Sequence, residues 1–105
     1  MILLKDNSVN LTGLTTQCLF AMQVTASVLD AYDSDLVITS ANDGKHRVNR
    51  KHYAGNAFDV RVWYIKGKEQ KVVDELKAAL GMDFDVIYEG DHIHIEYDPK
   101  RRDSM

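Results

Sequence analysis

Two segments of this chain alternate apolar and polar residues with a period of two, and they restrict the fold more than any other feature. Successive side chains of a strand point to opposite faces of its sheet. Within 58–64, Phe58, Val60, Val62 and Tyr64 fall on one face, and Asp59, Arg61 and Trp63 on the other. Within 92–97, Ile93, Ile95 and Tyr97 fall on one face, and His92, His94 and Glu96 on the other. Each segment therefore has an apolar face to bury and a polar face to leave open. If the two strands share a sheet, Asp59 and His94 project from the same open side.

The remaining elements supply something to cover the apolar side. Leu14, Cys18, Met22, Thr25 and Leu29 recur with helical spacing and predict a helix over about 14–31. Val72, Val73, Leu76, Ala79 and Leu80 predict a second helix over 66–80, stopped by Gly81. LVITS, 36–40, is short and β-branched and predicts a strand. The alternating strand is expected to run from Phe58 to Ile65. Phe84–Tyr88 and His92–Tyr97 predict two more strands around the turn Glu89-Gly90-Asp91. Asn42 to Lys51 is polar and basic and reads as a loop. Asp98-Pro99 ends the last strand, and 98–105 is expected to be a frayed polar tail. The fold class expected is α+β: a small, largely antiparallel sheet of about four strands, two helices on one face and a cleft on the other.

Length and charge bound the function. The 105 residues suit one domain, 1–105, with a single modest core. Thirteen Lys and Arg against sixteen Asp and Glu give a net charge of −3, so nothing draws the chain as a whole to nucleic acid or to an anionic membrane. The terminal KRR is expected to be solvated. The single cysteine, Cys18, excludes an intrachain disulfide and is expected in the core. No run approaches the roughly 18 apolar residues of a membrane span. MILLKDNSVN has too short an apolar run, and no cationic start, for a signal peptide. The chain is therefore expected to be made in a cytoplasm and to act as a monomer. Any substrate outside must be reached with the help of other proteins.

The stretch HYAGNAFDV carries the first chemical signal: His52 and Asp59, seven positions apart, with Gly55 and Ala57 between them. A catalytic zinc takes three protein ligands of the histidine and carboxylate type and keeps a fourth position for water. His52, Asp59 and His94 fit that count, and such a site acidifies a water and polarises a carbonyl. Gly55 would permit a tight turn between ligands, and Ala57 would leave room beside the ion. There is no HExxH, which excludes the usual helical zinc protease. The plainer alternative is a loop histidine, an exposed carboxylate and a surface histidine, and spacing alone does not choose between the two.

The run SANDGKHRVNRKHYAGNAFDVR, together with DHIHIEYDP, resembles the D-alanyl-D-alanine metallopeptidase family and its superfamily, which includes the hedgehog signalling domain and lysostaphin-type enzymes. The shared pattern is a His, six residues, an Asp, and later a His-x-His or an acidic-x-x-His. His52-x6-Asp59, with the internal Gly55-x-Ala57-x-Asp59, matches the first half. His92-x-His94 and Asp91-x-x-His94 match the second, and the resemblance covers about 36–98. It implies Zn2+ at His52, Asp59 and His94. It implies Asp91 as the general base that activates the metal-bound water and returns the proton to the leaving amine, and His92 as a stabiliser of the developing oxyanion. By strand parity Asp91 would point with Ile93, away from the metal, unless the chain turns at Gly90. The implied substrate is the peptide stem of bacterial peptidoglycan, cut as by a D,D-carboxypeptidase or an L-alanyl-D-glutamate endopeptidase. The implied setting is a phage-type lysin or a virion-borne enzyme.

The chain also departs from that family. The arginine expected just after the strand that precedes the motif, where it would grip a substrate carboxylate, is replaced by Ser40-Ala41-Asn42-Asp43. The position two before the first metal histidine is Arg50 rather than Ser. Arg50 or Arg47 would supply the missing cation, since a guanidinium suits a carboxylate, and His46 would line the cleft. The alternative is that KHRVNRK is a solvated basic loop. Trp63 either walls a substrate groove or packs on a neighbouring loop. The competing functional class is a non-catalytic wall-binding or virion module that retains the fold. An intact base argues against it.

Overall fold

The apolar faces expected from alternation are the ones that close the core. In the computed structural model, which describes residues 1–41 and 55–99, the order is β1 (Ile2–Leu4), α1 (Thr16–Asp30), β2 (Leu36–Ser40), β3 (Ala57–Arg61), a 3-10 turn (Trp63–Ile65), α2 (Glu69–Leu80), β4 (Phe84–Tyr88) and β5 (His92–Tyr97). The strands form one five-stranded sheet in the order β1-β2-β3-β5-β4. β1 runs parallel to β2, and the other pairings are antiparallel. The architecture is α+β with a mixed sheet. The loop expected at 42–51 and the tail from 100 onward lie outside the described residues.

Leu36, Ile38, Phe58, Val60, Ile93 and Ile95 lie on the sheet's covered face, none more than 1 % exposed. Against them pack Cys18, Ala21, Met22 and Leu29 of α1 and Val72, Val73 and Leu76 of α2, in one cluster. Each large side chain buried this way contributes roughly 1.5–3 kcal/mol, an upper estimate because the unfolded chain is itself partly collapsed. Thr25 sits in the same interior, and its hydroxyl donates to the Ala21 carbonyl at 2.7 Å, so no buried donor is orphaned there.

Local signals explain the helix ends. Thr15 caps α1: its Oγ1 accepts the Cys18 N–H at 3.2 Å. α2 begins at Glu69 rather than at the expected Lys66. Gly67 has φ +84°, which no helix continues, and its N–H donates to Glu69 Oε1 at 3.0 Å. Gly81, with φ +86°, closes α2.

Three expectations need correction. The sheet has a fifth strand, β1, which three residues without alternation did not signal; it exists because β2 offers it a partner. The third strand ends at Arg61, not Ile65, because Val62 turns the backbone (φ −115°, ψ 14°) into the 3-10 turn. Tyr64 consequently leaves the apolar face and is 66 % exposed, while Ile65 takes the buried place. Asp98 is tied rather than loose, its N–H donating to the Asp83 carbonyl at 2.7 Å. No helix among the described residues is long and apolar enough to cross a membrane.

Candidate metal centre

The pairing of β3 with β5 builds the site. Across it, Ala57 faces Glu96, Asp59 faces His94, and Arg61 faces His92. Cross-strand partners point the same way, so these six form a row on the open face, opposite the helices. Strand parity thus correctly put Asp59 and His94 on one side.

His94 is held between two carboxylates. Its Nδ1 lies 2.8 Å from Asp59 Oδ1 and its Nε2 lies 2.9 Å from Glu96 Oε1. All three side chains are largely shielded, at 25 %, 24 % and 10 % exposure. The hydrogen bond to Asp59 is the largest influence on the ring; with the Glu96 bond it outweighs burial and lifts the histidine to a pKa of about 9. In the metal-free chain at neutral pH both ring nitrogens therefore donate.

His92 continues the row. Its Nδ1 meets Asp91 Oδ1 at 2.6 Å, and its Nε2 lies 3.0 Å from Glu89 Oε1 and 3.8 Å from Asp59 Oδ2. Burial works against its charge, but the Asp91 bond, the Asp59 charge and the Glu89 bond prevail, so its pKa is raised. The same bond to His92 lowers that of Asp91. β5 starts at His92, as expected, and Gly90, at φ +95°, turns the chain just before Asp91, so strand parity does not set the direction of Asp91. Asp91 nonetheless lies across the His92 ring from Asp59, and its side chain is 89 % exposed. His92 is the nearer of the two to the Asp59–His94 pair.

Gly55 takes the turn conformation the spacing suggested and also makes a close contact. Its φ is +92°, and a Cβ there would sit 2.1 Å from the Gly13 carbonyl oxygen. Its own carbonyl accepts the Thr15 N–H at 3.0 Å. Gly55 thus docks the start of the site on the N-terminus of α1. Next to it, Asn56 gives its carbonyl to the Tyr97 N–H at 2.7 Å. The Asn56 Oδ1 is buried and has no hydrogen-bond partner among the described residues.

The structure brings together Asp59, His94, His92 and Asp91. His52, His46, Arg47 and Arg50 lie outside the described residues. Sequence reasoning gave no role to Glu89 or Glu96, although parity had already put Glu96 on the face of His94. It also missed that the Arg61 guanidinium lies over the Trp63 ring, 3.6 Å from its centroid. A second donor set adjoins the first: Asp85, Glu96 and Asp98 offer oxygens all within 4.8 Å of one another, hard donors of the kind that can hold a metal ion. A shallow groove of about 430 Å3 along β4, lined by Met82, Phe84 and Ile87 among others, includes neither Asp59 nor His94.

The described part of the predicted ligand set suits zinc in its chemistry, an imidazole nitrogen and a carboxylate oxygen facing each other from paired strands. The chain matches no protein-family model and no curated protein.

Proposed function

We propose that the chain is a zinc-dependent peptidase that hydrolyses a peptide bond in the peptidoglycan stem, of the D,D-carboxypeptidase or L-alanyl-D-glutamate endopeptidase type. The observation that carries this reading is Asp59 Oδ1 facing His94 Nδ1 at 2.8 Å on the open face, with His92 and Asp91 next in line. The resemblance of HYAGNAFDV and DHIH to the metallopeptidase pattern supplies the substrate class.

In this reading Asp59 and His94, with His52, hold the ion. When bound, zinc supplies Lewis acidity, which lowers the pKa of a water and polarises a carbonyl. Asp91 is the general base: it is an exposed carboxylate, free to rotate toward the attacking water and away from His92, whose hydrogen bond lowers its pKa and so its basicity. It takes one proton as the water oxygen bonds to the carbonyl carbon. It returns that proton to the nitrogen as the C–N bond breaks, leaving a carboxylate and an amine. His92, drawn toward its charged form by its carboxylate neighbours, stabilises negative charge gathering on the carbonyl oxygen.

The test is zinc content together with hydrolysis of purified peptidoglycan. Loss of the base by Asp91→Ala is expected to slow hydrolysis about 10²–10⁴-fold without removing the zinc. A zinc-loaded wild type that frees no new amine from any wall chemotype overturns the reading in favour of a non-catalytic module. Product masses from a defined wall fragment name the bond that is cut.

A further inference from the structure

Arg61 stands in the row of the candidate centre but takes no part in its ion pairs. It is two residues beyond Asp59 on β3 and faces His92 across the pairing. Both histidines of the row are held by Asp59, Glu89, Asp91 and Glu96. Arg61 forms no salt bridge with a described residue. The charge of Arg61 reaches Asp6, but that carboxylate is engaged by the Ser8 N–H at 2.8 Å and the Ser8 hydroxyl at 2.5 Å.

Arg61 is instead held by its flat side, its guanidinium carbon 3.6 Å from the centroid of the Trp63 ring. The turn at Val62 creates this contact. Had the strand continued, Trp63 would stand about 7 Å further along the same face. Trp63 remains 55 % exposed, so the stack is a surface platform and not part of the core. Stacking occupies the face of a guanidinium and leaves the N–H donors along its edge, which match a carboxylate two at a time. On a face so rich in carboxylates, an unengaged cation fixes where an anionic group can land.

We propose that Arg61, held flat on Trp63, is a binding subsite for a free carboxylate of an extended peptide. What is cut beside it rests on the hydrolase reading, but the binding requires no hydrolysis. Two residues along a strand is about 7 Å, which is also the step between alternate residues of an extended peptide. The recognised carboxylate therefore lies within about 7 Å of the carbonyl held at Asp59 and His94, a reach that the main-chain or side-chain carboxylate of the next residue can span. A chain-terminal carboxylate and a side-chain carboxylate offer the same fork.

Trp63 is the only tryptophan in the chain, so its emission reports on this subsite directly. The full chain, with and without zinc, is titrated with acetyl-Lys-D-Ala-D-Ala and with its C-terminal amide. A second pair, L-Ala-D-Glu amide and L-Ala-D-Gln amide, presents the side-chain carboxylate. In at least one pair the carboxylate form is expected to bind about tenfold more tightly than its amide and to change the Trp63 emission. Arg61→Gln is expected to abolish that preference, and Arg61→Lys to restore only part of it because the fork is lost. An amide spectrum matching that of the wild type shows that a variant is folded. Absence of any carboxylate preference in the wild type, or its persistence in Arg61→Gln, overturns the inference. A chain that cleaves peptidoglycan but is indifferent to Arg61→Gln overturns this inference alone. A chain inert toward peptidoglycan that keeps an Arg61-dependent preference overturns the hydrolase reading alone.

Discussion

Glu96 accepts the Nε2–H of His94 at 2.9 Å while the opposite ring nitrogen faces Asp59. A carboxylate on the far nitrogen of a metal-binding imidazole fixes its orientation and raises its basicity. Glu96 is only 8 % exposed, so solvent does not loosen this contact. Glu96→Gln, which removes the charge and keeps the shape, is expected to weaken zinc binding about tenfold, and Glu96→Ala by up to about 100-fold. Competition with a chromophoric chelator measures both. Asp85→Asn and Asp98→Asn in the same assay separate this effect from any binding at the neighbouring acidic group.

The metal-free chain should lose stability as pH rises past neutrality. The folded His94 pKa is raised from 6.5 to about 9, chiefly by its bond to Asp59 and against the effect of burial. Its contribution is thus fully present below pH 6.5 and disappears as pH climbs through about 9. Urea unfolding in the presence of a chelator is expected to show a midpoint that falls across that window. His94→Gln is expected to flatten the fall. Zinc affinity is expected to rise over the same window, because the Nδ1 proton must leave before the nitrogen can bind.

Cys18 is 1 % exposed, and burial pushes its thiol up to about 12. The thiolate is the reactive form, so the native chain should resist alkylation at pH 8. Labelling by iodoacetamide is expected to be at least about 100-fold slower in buffer than in urea, limited by transient opening of the helix-packed core. Equal rates would place Cys18 outside that core.

Legibility followed the range of the interactions involved. Alternation fixed β5 and the start of β3, because a period of two leaves only one way to bury Phe58, Val60, Ile93 and Ile95 together. The same parity put Asp59 beside His94 without any knowledge of the pairing. β1 was hidden because nothing within Ile2–Leu4 specifies a strand; β2 does. The end of β3 was hidden because Val62-Trp63-Tyr64 continues the strand pattern in composition while its backbone turns. Glu96 and Glu89 escaped notice because an acidic residue on a polar face is unremarked until a histidine rotamer meets it. The HYAGNAFDV stretch was legible as chemistry but not as packing. The 2.1 Å approach of Gly55 to Gly13 joins two loops 42 positions apart, which no local pattern records.

That approach makes Gly55 the most restrictive position in the site. A methyl group there would overlap the Gly13 carbonyl, and φ +92° is itself unfavourable for any residue with a Cβ. The neighbouring atoms are backbone, so they cannot swing aside as a long side chain can. Gly55→Ala is therefore expected to cost at least about 2–3 kcal/mol, combining strain with overpacking. The carbonyl of Gly55 also binds the Thr15 N–H that begins α1, so the shift should spread to that helix end. Urea unfolding of the metal-free chain measures the loss, and the Thr15 and Cys18 amide resonances should move with it. Gly81→Ala is the control: its φ is similarly positive at +86°, but a Cβ there meets nothing within 4 Å. It is expected to cost only about 1 kcal/mol, the strain without the collision. Equal losses at the two glycines would show that backbone strain alone governs both, and would refute the close docking of Gly55 on Gly13.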